Sequence, residues 1–129
     1  MNIPQDYKFT KSHEWVKVEG SMATIGISDY AQNQLSDIVF AEIIVAAGDE
    51  INKGDSIATI ESVKAAADVY CPVSGKVVAI NEDLAAAPEV INSDPYGNAW
   101  MVKVELTSPD ELGQLMDAAA YETFTQEQE

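Results

Sequence analysis

Hydrophobic and polar residues alternate in short runs over the first three quarters of the chain, a pattern that predicts β-strands separated by turns. Two such runs around a glycine predict a hairpin over residues 14–27. Ser28 then stands where it can cap a short helix over residues 29–35. The other predicted elements are strands at 37–43, 56–63, 76–81 and 99–106, turns at 48–51 and 54–57, and a long connection with one helical turn at 82–97.

The C-terminal quarter changes to a helical period. The run Ser108-Pro109-Asp110-Glu111 combines an N-cap, a proline in the first turn and a capping-box glutamate. An amphipathic helical stripe follows and extends after a kink to two aromatic residues: Leu112, Leu115, Met116, Ala119, Tyr121 and Phe124. Many short strands with one terminal helical region predict a mainly β fold, an antiparallel sandwich or flattened barrel. The length of 129 residues suits a single domain over 1–129.

Charge and composition narrow the function classes. Seven lysines against 22 acidic residues give a net charge of −15, which disfavours nucleic acid and anionic membranes as partners. No apolar run is long enough for a membrane span, and the first residues lack leader features, so we expect a cytoplasmic protein; a mature mitochondrial protein stays open. One histidine and one cysteine predict neither a metal site nor a catalytic pair, and Cys71 is expected to be a small buried residue.

The most informative segment is Glu61-Ser62-Val63-Lys64-Ala65, followed by Asp68 and by Pro72-Val73-Ser74-Gly75. Local propensity alone favours a short helix over residues 61–68, with Lys64 an ordinary exposed lysine. The wider arrangement, however, resembles the lipoylation segment of glycine cleavage H proteins. The resemblance spans nearly the whole chain, in the family's order and spacing, through Ser12–Val16, Thr24–Ile27, Ala31-Gln32, Asp37–Phe40, Val90–Ser93, Pro95-Tyr96, Trp100 and Ser108–Leu112.

This resemblance implies a fold and a modification site. The fold would be a hybrid barrel-sandwich of two antiparallel sheets, of the lipoyl/biotinyl-carrier type, with short helices. Lipoate would be bound covalently through Lys64, at an exposed β-turn between strands near 56–63 and 66–71. The modification motif would comprise Glu61, Ser62, Val63 and Ala65. Two features depart from the family: Ala67 replaces a common serine, and residues 43–47 lack a proline often found there.

The resemblance also implies a function, that of a non-catalytic carrier. Its lipoyl arm would take an aminomethyl group from glycine decarboxylase to the aminomethyltransferase, and dihydrolipoyl dehydrogenase would reoxidise the dithiol. A lipoyl ligase or octanoyltransferase would load the arm, and the carrier would act as a monomer. Ser12, Glu14 and Asp68 would line a cleft for the cationic end of the arm. Two alternatives stay open: a lipoyl/octanoyl relay for other lipoyl-dependent enzymes, and an unmodified interaction module that uses the acidic surface.

Overall fold

The computed structural model describes residues 3–128; Met1, Asn2 and Glu129, which the predicted domain includes, lie outside the described residues. Its nine strands are β1 (Lys8–Phe9), β2 (Glu14–Glu19), β3 (Met22–Ile27), β4 (Ile38–Ile43), β5 (Glu50–Ile51), β6 (Ser56–Ser62), β7 (Ala66–Tyr70), β8 (Gly75–Ile80) and β9 (Val102–Leu106). Six of them form one antiparallel sheet in the order β1-β2-β3-β9-β8-β5. The other three form a second antiparallel sheet in the order β4-β6-β7.

The two sheets enclose one hydrophobic core. Alternate residues of the six-stranded sheet are buried and belong to this core, among them Val16, Ile25 and Val104. Ile60 and Val69 contribute to the same core from the three-stranded sheet. Burial of apolar area on both inner faces holds such a sandwich together. The predicted mainly β barrel-sandwich of two antiparallel sheets is therefore confirmed.

Short helices connect several of the strands. Helix α1 (Asp29–Leu35) begins as predicted, because the Ser28 hydroxyl accepts a hydrogen bond from the N–H of Ala31 at 3.2 Å. The long connection contains a 3-10 helix at Glu82–Ala85 and the one-turn helix α2 (Val90–Ser93). Within residues 3–128, no helix combines the length and the apolar character that crossing a membrane requires.

The C-terminal region differs from the amphipathic helix over residues 112–119 that the sequence predicts. A 3-10 helix spans Pro109–Gln114 and is followed by an extended Leu115, and helix α3 (Ala118–Gln128) begins only after this break. The Ser108 side chain forms no cap hydrogen bond, and the Glu111 carboxylate does not complete the predicted capping box. It accepts hydrogen bonds instead from the N–H and hydroxyl of Ser74, at 2.6 and 2.8 Å. A continuous helix is also prevented because Met116 pairs its backbone with Phe9.

Helix α3 is held against the first strand by aromatic packing. The rings of Phe9 and Tyr121 stack with centroids 4.3 Å apart, and both side chains are fully buried. The Tyr121 hydroxyl also forms hydrogen bonds with Ser28 at 2.6 Å and with Nδ1 of His13 at 2.8 Å. Stacked and hydrogen-bonded aromatic side chains of this kind contribute beyond their buried area. The C-terminal segment thus fixes the chain that leads into β2.

Candidate modification site at the turn between β6 and β7

The turn between β6 and β7 is organised by one serine. The Ser62 hydroxyl accepts hydrogen bonds from the N–H groups of Lys64 at 3.3 Å and Ala65 at 3.0 Å, and it donates to the Ala65 carbonyl at 3.2 Å. The Ser62 N–H donates to that same carbonyl at 2.7 Å. Side-chain bonding to nearby backbone stabilises tight turns. Residues 61–68 therefore form a hairpin end and not the helix that local propensity favours.

Lys64 stands at the tip of this hairpin and is exposed. Val63 beside it is 67% exposed, and Ala65 and Ala66 are exposed on the other side. Lys17 forms an ion pair with Glu19, whereas no carboxylate among the described residues pairs with the Lys64 amine. Lys64 is accordingly presented on a hydrogen-bonded turn, next to the small residues Ala65 and Ala66, and its amine has no ion-pair partner within residues 3–128.

The outer face of the three-stranded sheet beside the lysine is acidic and partly apolar. Strand register places Phe40, Glu61 and Ala66 side by side in one row across β4, β6 and β7. Glu42, Thr59 and Asp68 form the next row, where the Thr59 hydroxyl donates to Asp68 at 3.5 Å. The three carboxylates of these rows give this face a negative potential, which favours the approach of basic groups.

Glu14 lies beneath the same hairpin and is 2% exposed. One of its carboxylate oxygens accepts hydrogen bonds from the hydroxyls of Thr10 at 2.6 Å and Ser12 at 2.5 Å. The other accepts from the N–H of Tyr70, the last residue of β7, at 3.3 Å. A buried carboxylate needs such partners to offset the loss of water. Glu14 thereby ties the start of β2 to the base of the lysine hairpin.

Two of the three residues predicted to line an arm cleft are therefore in contact. Ser12 and Glu14 share a hydrogen bond, whereas Asp68 lies on the same strand as Tyr70 and bonds to Thr59 instead. Thr10 completes the group and was missed by sequence reasoning. Threonine in a polar loop carries no distinguishing signal, and its role depends on the folded position of Glu14.

The remaining reactive side chains are engaged in the fold. Burial raises the pKa of the Cys71 thiol to about 12, and its Sγ contacts the Val73 carbonyl at 3.0 Å. The predicted burial of Cys71 is confirmed, since it is 1% exposed. His13 hydrogen-bonds to Tyr121 in the aromatic cluster. Among residues 3–128, no three His, Cys, Asp or Glu side chains come together in a way that could hold a metal ion.

A barrel-sandwich of two antiparallel sheets that presents a lysine on an exposed hairpin turn is the fold of a lipoyl/biotinyl-type carrier. Comparison with known families narrows this class. The profile of the glycine cleavage H-protein family matches residues 7–128, nearly the entire chain. The chain belongs to the glycine cleavage H-protein family, which confirms the resemblance seen in its sequence.

Individual relatives agree with this assignment. The glycine cleavage system H protein of Symbiobacterium thermophilum is 49% identical over 126 residues, covering 98% of both chains. The protein of the same name from Carboxydothermus hydrogenoformans is also 49% identical over 126 residues, covering 98% of this chain and 96% of its own. The crystal structure of a glycine cleavage system H protein from Mycobacterium marinum superposes with a TM-score of 0.86 at 31% identity, covering 96% of this chain and 99% of that one.

Proposed function

We propose that this chain is the lipoyl carrier of the glycine cleavage system and that Lys64 is its attachment residue. The carrier takes the aminomethyl group derived from glycine from the decarboxylase to the aminomethyltransferase, and dihydrolipoyl dehydrogenase returns the arm to its oxidised form. The observation that supports this most is the exposed lysine on the hairpin turn of a chain from this family. When bound, lipoate supplies a disulfide that accepts the one-carbon group together with two electrons.

The residues around Lys64 fit such a group. The amine has no ion-pair partner among the described residues and can form an amide. Ala65 and Ala66 leave space for an enzyme to approach, and the Ser62 hydroxyl holds the turn in one conformation. Because Lys64 is exposed at the tip, an arm attached there would be accessible to partner enzymes. Tethering replaces free diffusion by an effective concentration of order mM, which is the physical advantage of a carrier.

The proposed role is that of a carrier without chemistry of its own. Cys71 is a poor nucleophile because burial raises its pKa, and His13 is committed to the hydroxyl of Tyr121. The proposed contribution of the chain is to bind, present and shield the arm. Ser12, Glu14 and Asp68 are proposed to receive its cationic end: Asp68 offers exposed oxygens, while Glu14 acts by its buried charge because Thr10 and Ser12 occupy one of its oxygens.

The proposal is tested by expressing the protein in a lipoate-competent host and measuring its intact mass, followed by peptide mapping. We expect one lipoyl group, on Lys64, and none on Lys64→Arg. The substitutions Lys53→Arg and Lys76→Arg serve as controls and should retain the modification. Lipoate mapped to Lys53 or Lys76, or a fully lipoylated Lys64→Arg, would refute the attachment site. A chain that stays unmodified would favour an interaction module instead.

A second step tests the biology beyond attachment. Purified lipoylated protein is combined with glycine decarboxylase, the aminomethyltransferase and dihydrolipoyl dehydrogenase, and tetrahydrofolate-dependent consumption of glycine is followed. We expect turnover with wild type and none with Lys64→Arg. A lipoylated protein that supports no glycine turnover, yet donates its acyl group to other lipoyl domains, would identify a relay.

A further inference from the structure

Strand β7 is an edge strand, and hydrogen bonds at its two ends define which of its backbone groups point outward. The carbonyl of Ala65 and both backbone groups of Cys71 bond toward the β6 side, with Ser62, Gly54 and Asp55. The N–H of Tyr70 points the other way, to Glu14. Because backbone direction alternates along a strand, residues 67 and 69 face β6, and residues 66 and 68 face outward.

These outward groups form a short open edge. Among residues 3–128, no atom outside the strand pairing satisfies the N–H and C=O groups of Ala66 and Asp68. The next outward N–H, that of Tyr70, is already covered by the Glu14 carboxylate. The free edge therefore begins directly after the lysine turn and ends at Glu14. Exposed edges of this kind are templates for a strand from another chain.

The charge around the edge selects which strand can add there. Asp68 lies on it, and Glu61 and Glu42 lie on the adjoining outer face, none of them in an ion pair within the described residues. A second copy of this chain is disfavoured because it would bring like charges together. A strand carrying Lys or Arg would instead be attracted, and more strongly at low ionic strength.

The distance from Lys64 to β7 indicates which enzyme supplies this strand. An enzyme that acts on the Lys64 amine must come within one lysine side chain of the hairpin and so must contact β7 or its neighbours. Enzymes that act on the far end of a lipoyl arm do not need this contact. We propose that the enzyme that loads Lys64 adds a basic strand to β7 at Ala66 and Asp68, which fixes the amine in its active site. The inference rests on the proposed attachment at Lys64.

The first test removes one outward donor without touching the pairing with β6. Ala66→Pro deletes the N–H that points outward, a position where an edge strand tolerates proline. Loading by a purified lipoate ligase with lipoate and ATP should fall roughly tenfold in kcat/KM, about the loss of one well-made intermolecular hydrogen bond. Ala66→Ser changes the side chain but keeps the N–H, so it should lose far less. Circular dichroism and thermal melts establish that both variants are folded.

The second test needs no destabilising substitution. Amide hydrogen exchange is followed by NMR on Lys64→Arg, free and saturated with the ligase. The amides of Ala66 and Asp68 should exchange rapidly in the free protein and at least tenfold more slowly in the complex. Those of Ala67 and Val69 should be protected in both, because they face β6.

The outcomes separate this inference from the proposed function. Unchanged exchange at Ala66 and Asp68 in a saturated complex, or normal loading of a folded Ala66→Pro, overturns strand addition while lipoate still maps to Lys64. Absence of lipoate from Lys64 in the wild-type protein overturns the attachment site itself, and strand addition with it. Slow loading of Ala66→Pro together with alternating protection supports both.

Discussion

The buried carboxylate of Glu14 provides the sharpest test of how the hairpin is supported. It accepts hydrogen bonds from Thr10, Ser12 and the N–H of Tyr70 while only 2% exposed. In Glu14→Gln the shape is kept, but an amide has one acceptor oxygen and one NH₂ group in place of two acceptors. Whichever way the amide is oriented, its NH₂ group faces donors, either the Thr10 and Ser12 hydroxyls or the Tyr70 N–H. The remaining hydrogen bonds become neutral where they had been charge-assisted.

The magnitude follows from those lost bonds. A buried polar group left without its partner costs about 1–3 kcal/mol, so Glu14→Gln should lower the free energy of unfolding by that amount. For a chain of this size the melting temperature should fall by roughly 4–12 °C. The assay is urea unfolding followed by tryptophan fluorescence, alongside a thermal melt.

A matched control separates burial from charge. Glu105→Gln neutralises an exposed glutamate on β9 and should change the free energy of unfolding by less than about 0.5 kcal/mol. Ser12→Ala, at an exposed position that donates a single bond to Glu14, should fall between the two. If Glu14→Gln were as stable as wild type, Glu14 would not anchor β7, and the reasoning about the base of the hairpin would be refuted.

Two further predictions concern the core. Gly75→Ala should destabilise the protein by about 1–3 kcal/mol, because an added Cβ would collide with the backbone carbonyl of Glu105. Gly113→Ala, where an added Cβ meets open space, is the control. Equal urea midpoints for the two variants would contradict the close packing at Gly75. Burial raises the pKa values of Cys71 and Tyr96 to about 12, above their ordinary 9.0 and 10.0, so the unfolded chain releases these protons first. The contribution of these two groups to stability should therefore be constant below about pH 8, and stability should decline as the pH rises beyond about 9. Denaturation at a series of alkaline pH values should show a smaller decline for Cys71→Ala.

The sequence predicted the elements whose causes are local. Alternation identified the β2–β3 hairpin, and the Ser28 hydroxyl identified the start of α1. The turn at Lys64 was different, because lysine and three alanines favour helix when considered alone. The helical propensity is outweighed by the pairing of β6 with β7 and by the hydrogen bonds of the Ser62 hydroxyl within the turn. Only the family resemblance predicted this turn.

Other features depend on partners far away in the chain. The break before α3 arises because the backbone of Met116 forms a β-bridge with Phe9. No local sequence pattern predicts this bridge. The anchoring of β7 could not be predicted either. It joins the Glu14 side chain to the backbone N–H of Tyr70, a group that every residue except proline possesses and that no motif marks.

The burial of Cys71 has a consequence for redox chemistry. Thiol–disulfide exchange requires an accessible thiolate, and the single cysteine thiol of this chain is enclosed and held in its protonated form. A strained cyclic disulfide tethered at Lys64 would therefore meet no competing thiolate on its own carrier. Neither capture of the arm by the protein body nor cross-linking of two carriers through their own cysteines is open to the folded chain. The oxidation state of the arm would therefore not be altered by any thiol of the carrier itself.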